Sequence, residues 1–249
     1  MKDGVNIDTA VILAGGLGTR LRAAVSDVPK PMAPINGHPF LEYQMNFWLK
    51  QGIKRFILSV GYKHELISSY FGSQYREAKV DYAVEESPMG TGGGLLLSLK
   101  HLSNANPFLL LNGDTFFDIP ITGLLKYHLT RGAAVTFSLF QTSEKERYMG
   151  MQLSDDGRIL SLGDKKNQSD ALANGGVYIV DPLAFNCYPA PTKQAISLES
   201  DIFPELLKSE AGMWGYQSNG LFIDIGVPED YFRAQDMPAF KKILRQEAI

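Results

Sequence analysis

Residues 9–21 read TAVILAGGLGTRL, a short apolar run rich in β-branched side chains that passes directly into a glycine-rich turn. A run of this kind is expected of a buried parallel strand. The loop behind it is then a candidate site, because ligands of open α/β sheets sit beyond the carboxyl ends of the strands.

Downstream the same alternation recurs. Residues 40–50 (FLEYQMNFWLK) mix apolar and polar side chains in a helix-compatible pattern, Gly52 stops it, and RFILSVGY at 55–62 reads as the next strand, which completes a β-α-β unit. A helix over 65–71, a strand over 80–84, a helix over 93–102 and a strand over 107–111 follow, the last ending at Asn112-Gly113-Asp114. After Gly132 the texture changes: 133–141, 150–163 and 175–181 read as strands, with Asp156-Gly157 marking a hairpin. Helical patterns return at 200–209 and 231–245. The expected fold class is α/β, a Rossmann-like mixed, mostly parallel sheet flanked by helices. Without a repeat or a low-complexity linker, 1–249 reads as a single domain, with halves at about 8–131 and 132–249.

Composition narrows the function. The 249 residues are 45% hydrophobic and 20% charged, with 24 basic and 27 acidic residues giving a formal net charge of −3. No long like-charge run offers a footprint for nucleic acid or an anionic membrane, so an anionic substrate must be held by a few placed cations. Cys187 is the single cysteine, which excludes an intramolecular disulfide framework and a multi-thiolate zinc cluster. The N-terminus lacks a signal-peptide layout, and no apolar run reaches the roughly 18 residues of a membrane span, so the expectation is a cytoplasmic protein. His38, His64, His101 and His128 have no metal-ligand spacing, and no nucleophile triad is evident.

The chemistry concentrates on loops. Gly15, Gly16 and Gly18 let main-chain N–H groups approach phosphate oxygens, while Arg20 and, further on, Lys30 can neutralise β and γ phosphates. The segment matches neither G-x-G-x-x-G nor G-x-x-x-x-G-K-[ST], and alone it would equally fit a plain glycine turn with surface cations. Asp114 in LNGD and Asp224 in FIDIGVPEDY each follow an apolar run; carboxylates suit a hard Mg²⁺, though an aspartate alone in such a place more often serves a turn or a cap.

Together, G-G-x-G-T-R-L and the downstream K-P-M resemble the signature of the sugar-1-phosphate nucleotidyltransferase family, of the nucleotide-diphospho-sugar transferase fold. The resemblance runs from Ala10 to Tyr231. It implies that Leu13, Ala14, Gly15, Gly16, Gly18 and Thr19 wrap the nucleotide, that Arg20 binds the triphosphate, and that Lys30 stabilises the departing pyrophosphate. EESPMGTGG at 85–93 is similar to the family's nucleobase segment, with Gly90 and Thr91 at a helix start that can present N–H groups. Glu85 stands where relatives using uridine or thymidine nucleotides commonly have Gln. A carboxylate only accepts hydrogen bonds, which suits the adjacent N1–H and N2–H₂ donors of guanine and points to GTP; as a plain strand-end residue it would be solvated.

The resemblance further implies Mg²⁺ on Asp114 and Asp224, and a sugar pocket of Asn112, Gly113, Asn174, Gly175 and Glu199. Glu199 would otherwise cap a helix near Ser200. Lys165, after Asp164, would hold the sugar phosphate, with Lys166 next to it as the alternative. Within the family the motifs look most like the D-glycero-alpha-D-manno-heptose 1-phosphate guanylyltransferases. The expected reaction joins a sugar 1-phosphate to GTP and releases pyrophosphate. The alternatives are mannose or glucose 1-phosphate with another NTP, a non-catalytic nucleotide-sensing subunit, and a glycosyltransferase suggested by DTFFD at 114–118. The sequence is compatible with a homo-oligomer.

Overall fold

The computed structural model describes residues 5–21, 25, 27–102, 106–144, 147–148, 150–163, 171–189 and 194–244. The first half runs β1 (Thr9–Leu13), a small hairpin of β2 (Pro34–Ile35) and β3 (His38–Pro39), α1 (Phe40–Lys50), β4 (Arg55–Val60), α2 (His64–Phe71), β5 (Gln74–Tyr75), β6 (Ala78–Val84), α3 (Gly90–Leu99), β7 (Phe108–Asn112), β8 (Thr115–Phe117) and α4 (Ile121–Arg131). The second half adds β9 (Val135–Thr142), β10 (Gly150–Leu153), β11 (Ile159–Leu162), β12 (Ala171–Val180), α5 (Phe203–Leu206), β13 (Met213–Gln217), β14 (Phe222–Asp224), α6 (Pro228–Asp236) and α7 (Pro238–Leu244).

One mixed sheet carries both halves. β1 pairs in parallel with β4 on one side and β7 on the other, and β4 pairs in parallel with β6. β12 joins antiparallel to β7 and to β9, and β13 runs parallel to β9. The strands alternate between two apolar clusters: Ala10, Ile12, Leu109 and Leu111 face one, Val11, Leu110 and Ile57 the other. Burial on both faces is why β1 and β7 read as continuous apolar runs. α1, α4, α6 and α7 contribute to the first cluster, α3 and α5 to the second. α1 is buried almost all round, Glu42, Gln44 and Asn46 included, and its Tyr43 ring meets Phe240 of α7 edge-on at 4.9 Å.

The chain leaves β1 towards β4 and later returns to β1's other side as β7. That reversal is a topological switch point, and it opens a crevice at the carboxyl ends of β1 and β7. Both loops singled out in the sequence, 15–18 and 112–114, meet there.

Several boundaries differ from expectation. The helix expected over 93–102 spans Gly90–Leu99 instead, and Gly90 enters it at φ +73°, a conformation open to glycine. The pattern over 231–245 divides into α6 and α7, since Pro238 cannot continue the first helix. α4 gives little signal in sequence, with Gly123 in its first turn, yet Ile121, Leu124 and Leu125 are buried.

Candidate functional site

At the switch point lies a cavity of about 300 Å³. Leu13, Ala14, Gly15 and Gly16 form one wall, Asn112, Gly113 and Asp114 another, and Lys30, Glu85, Gly90 and Thr91 close it. The walls touch: Gly113 N–H donates to Leu13 O at 3.0 Å, and a Cβ on Gly113 would lie 2.5 Å from that oxygen. Gly18 takes φ +59° and lies so close to Lys30 that a Cβ there would sit 2.9 Å from the Lys30 Cβ. Arg20 and Thr19 lie exposed on the following turn and do not line the cavity.

Asp114 and Asp224 are brought together by a two-stranded ribbon. β14 pairs antiparallel with β8 so that Asp224 faces Thr115, and Ile225 N–H donates to Asp114 O at 2.9 Å. The Lys30 ammonium forms an ion pair with the Asp114 carboxylate. It also lies near Asp224, since a Cβ on Gly226 would be 2.8 Å from Lys30 Nζ and 2.6 Å from Asp224 Oδ1. Burial, and then the charge of Asp114, holds the Asp224 carboxyl above the usual range, while the Gly226 N–H at 2.6 Å, Lys30 and Arg147 pull it down.

The nucleobase end is built around Glu85. Its Oε2 accepts from Met89 N–H at 2.9 Å, and its Oε1 accepts from Ser59 Oγ at 3.2 Å. The expectation that the α3 start offers amides broadly is narrowed, because Gly92 N–H and Gly93 N–H both donate to Ile196 O, at 2.8 and 3.2 Å. Gly90 makes room for that carbonyl, which a Cβ there would approach to 2.5 Å.

Beside Asp114 lies a second polar cluster. The pairing of β12 with β9 shifts between Asn174 and Tyr178, a bulge that carries Gly175 and Gly176. Gly176, at φ +70°, packs against Asn112 and Thr115, and a Cβ on Gly175 would strike the Phe117 ring. Asn174 Nδ2 donates to Tyr178 Oη at 2.6 Å, and burial with the nearby Glu199 charge pushes the Tyr178 hydroxyl well up. Glu199 does not cap a helix. Ser197 does so, accepting from Glu199 N–H and Ser200 N–H at 3.2 Å, while the Glu199 carboxylate accepts from Thr91 and Ser197 hydroxyls at 2.8 and 3.0 Å. Asp164, Lys165 and Lys166 fall outside the described residues.

Three supporting residues went unread in the sequence. Gln44 Nε2, from α1, donates to Asn112 O at 2.8 Å and to Thr115 O, and so holds the Asp114 turn from behind. Asp230, 2% exposed, pairs with Arg147 and with Arg233 at 2.9 Å just beyond Asp224. Ser59 was legible as a polar residue inside the apolar strand β4.

A parallel α/β core with a glycine turn, a lysine and two carboxylates at its switch point is equipped to handle phosphate groups. The chain belongs to the nucleotidyl transferase family, whose model matches residues 9–239. It is 40% identical to the D-glycero-alpha-D-manno-heptose 1-phosphate guanylyltransferase of Aneurinibacillus thermoaerophilus over 227 residues, 91% of this chain and 96% of the relative. A protein of the same name from Campylobacter jejuni is 38% identical over 90% of this chain and 96% of its own. Among solved structures, HddC from Yersinia pseudotuberculosis complexed with GMP-PN superposes with a TM-score of 0.80 at 33% identity, covering 92% of this chain and 99% of that one. Among the described residues no helix is long and apolar enough to cross a membrane.

Proposed function

We propose that this protein joins GTP to D-glycero-alpha-D-manno-heptose 1-phosphate, forming the GDP-sugar and pyrophosphate. The observation that carries the donor assignment is the Glu85 carboxylate lining the cavity, where only hydrogen-bond donors of a base are welcome. The two heptose 1-phosphate guanylyltransferases among its relatives support the acceptor.

A phosphate oxygen of the sugar phosphate attacks the α-phosphorus, a new P–O bond forms, and the bond to the β-phosphate oxygen breaks. That nucleophile is already anionic near neutral pH, so no side-chain base is required. The protein's work is alignment and charge neutralisation. Lys30, in the cavity wall, takes charge on the leaving pyrophosphate, and Arg20 reaches the triphosphate from the exposed turn. Asn112, Asn174, Gly175 and Glu199 hold sugar hydroxyls, and Lys165 holds the sugar phosphate by resemblance.

The carboxylates of Asp114 and Asp224 fit a divalent cation, because the pairing of β8 with β14 sets two oxygen donors side by side at the cavity edge, where burial and mutual repulsion disfavour ionised Asp224 without a cation. Mg²⁺ is the assignment, an ion that needs few protein ligands and, when bound, supplies neutralising charge to phosphate oxygens. Cytoplasmic residence belongs to the same proposal, as does a homo-oligomer compatible with it.

The test is pyrophosphate release with Mg²⁺, offering GTP, ATP, CTP, UTP and dTTP against heptose, mannose and glucose 1-phosphates. Turnover confined to GTP with the heptose phosphate is the expected result. Preference for UTP or dTTP overturns the Glu85 assignment, preference for mannose phosphate overturns the acceptor, and silence across the panel overturns the reaction.

A further inference from the structure

We propose that Ser59 is the positioning residue for donor specificity, fixing the Glu85 carboxylate in the orientation that selects guanine. This rests on the guanine assignment of Glu85 and adds the device that makes it selective. Ser59 is 1% exposed, and its register partners are apolar on both sides, Leu13 in β1 and Ala83 in β6. A hydroxyl buried between such neighbours costs free energy unless it finds a partner. Its partner is Glu85 Oε1, at 3.2 Å, two residues beyond Ala83 and therefore on the same face of the sheet.

Lone pairs supply the selectivity. An ionised carboxylate has about four acceptor positions, two on each oxygen. Inside the protein Oε1 uses one on Ser59 and Oε2 uses one on the Met89 N–H at 2.9 Å. Among the described residues one acceptor position therefore remains on each oxygen, and both Ser59 and Glu85 line the cavity. Two adjacent acceptors match the N1–H and N2–H₂ donors of guanine. Hypoxanthine offers N1–H alone, and adenine turns an acceptor towards them.

The carboxylate plane needs such anchoring, because the last torsion of a glutamate is broad and has no sharp rotamer of its own. The surroundings fit the group closely. A Cβ on Gly15 would lie 2.4 Å from Glu85 Oε1, and one on Gly94 would lie 3.0 Å from Oε1 and 2.6 Å from Ser59 Oγ. Glycines at both positions admit the carboxylate, and the serine and the Met89 amide then set its rotation.

The experiment compares kcat/KM for GTP, ITP and ATP in the wild type, Ser59→Ala, Glu85→Gln and the double variant. The expected result is that Ser59→Ala lowers the GTP-to-ITP preference about tenfold, or about 1.4 kcal/mol. The change should lie in KM, with kcat at saturating GTP held within about twofold. It should also vanish in the Glu85→Gln background, since the serine acts through the carboxylate. Ser59→Cys, of similar shape but a weaker donor, should move the preference in the same direction and covers a loss of folding in the alanine variant. Equal losses on all donors, or an effect that persists without the Glu85 carboxylate, would show a structural role and overturn the proposal. A wild type selective for GTP whose preference ignores Ser59 overturns this inference alone, whereas a wild type that prefers another base overturns the guanine assignment with it.

Discussion

Thr91 Oγ1 donates to Glu199 Oε2 at 2.8 Å and accepts from Leu198 N–H at 2.9 Å, joining the start of α3 to a segment 108 residues further along the chain. A residue of the nucleotide cavity thus holds, through its hydroxyl, a residue of the proposed sugar pocket. Thr91→Val is close in shape and removes both bonds, leaving a buried amide and a carboxylate short of a partner. We expect a stability loss of about 1–3 kcal/mol and a raised KM for both the NTP and the sugar phosphate. Denaturant midpoints and two-substrate kinetics check this; a rise in the nucleotide KM alone would show that Thr91 does not position Glu199.

Asp224 should cost the metal-free protein stability at neutral pH. Burial and the Asp114 charge raise its folded pKa above the unfolded value. Between those values the native state keeps a proton that the unfolded state has released, so stability falls as pH rises through that window and stays lower above it. Asp224→Asn removes the penalty. Its Tm in EDTA should exceed that of the wild type near pH 7, while excess Mg²⁺ should raise the wild-type Tm and leave the variant's unmoved. Activity should fall by roughly 100-fold or more, the scale of losing an electrostatic stabiliser. A variant less stable than the wild type in EDTA would contradict the account.

Local pattern made the first half of the fold legible and left the meeting of its parts unread. TAVILA, FLEYQMNFWLK and PFLLL each carry their own signal, because a strand buried on both faces or a buried helix writes continuous apolar character into neighbouring residues. β8 and β14 are three residues each, too short for any period to show, yet their pairing is what sets Asp224 beside Asp114. Spacing along the chain could not supply that contact, and only the resemblance to a family joined the two aspartates. The donation of Gly92 and Gly93 to Ile196 O likewise depends on a tertiary approach that no helix-start motif encodes. Arg20 illustrates the converse: the motif names it, and the structure leaves it exposed outside the cavity wall.

The two glycine loops should respond differently to a single methyl. A Cβ on Gly113 would meet backbone, Leu13 O at 2.5 Å and Ala14 Cα at 3.2 Å, whereas among the described residues nothing lies within 4 Å of one on Gly16. Gly113→Ala must push the Asp114 turn away from β1, with an expected cost of about 1–3 kcal/mol and a fall in kcat. Gly16→Ala should leave the denaturant midpoint in place and act on the KM for the NTP, by obstructing close approach of phosphate to the loop. Equal midpoints for the two variants would mean that the walls are not in the contact described.

His128 should make the protein acid-sensitive far from the cavity. It is 3% exposed on α4, its Nδ1 lies 2.9 Å from the Thr136 hydroxyl, and burial pushes its pKa from 6.5 down to about 4. As pH falls from about 6.5 towards 4, the unfolded chain takes up a proton that the native imidazole refuses, so stability drains away over that window by on the order of 3 kcal/mol. Above about pH 7 both states hold a neutral ring and the contribution is flat. His128→Gln cannot titrate there. Urea midpoints measured from about pH 7 to pH 4 should therefore fall more steeply in the wild type than in the variant, with carboxylate titrations common to both cancelling in the difference. Parallel curves would mean that the ring becomes protonated in the native state without penalty, and that its burial is looser than the Thr136 contact indicates.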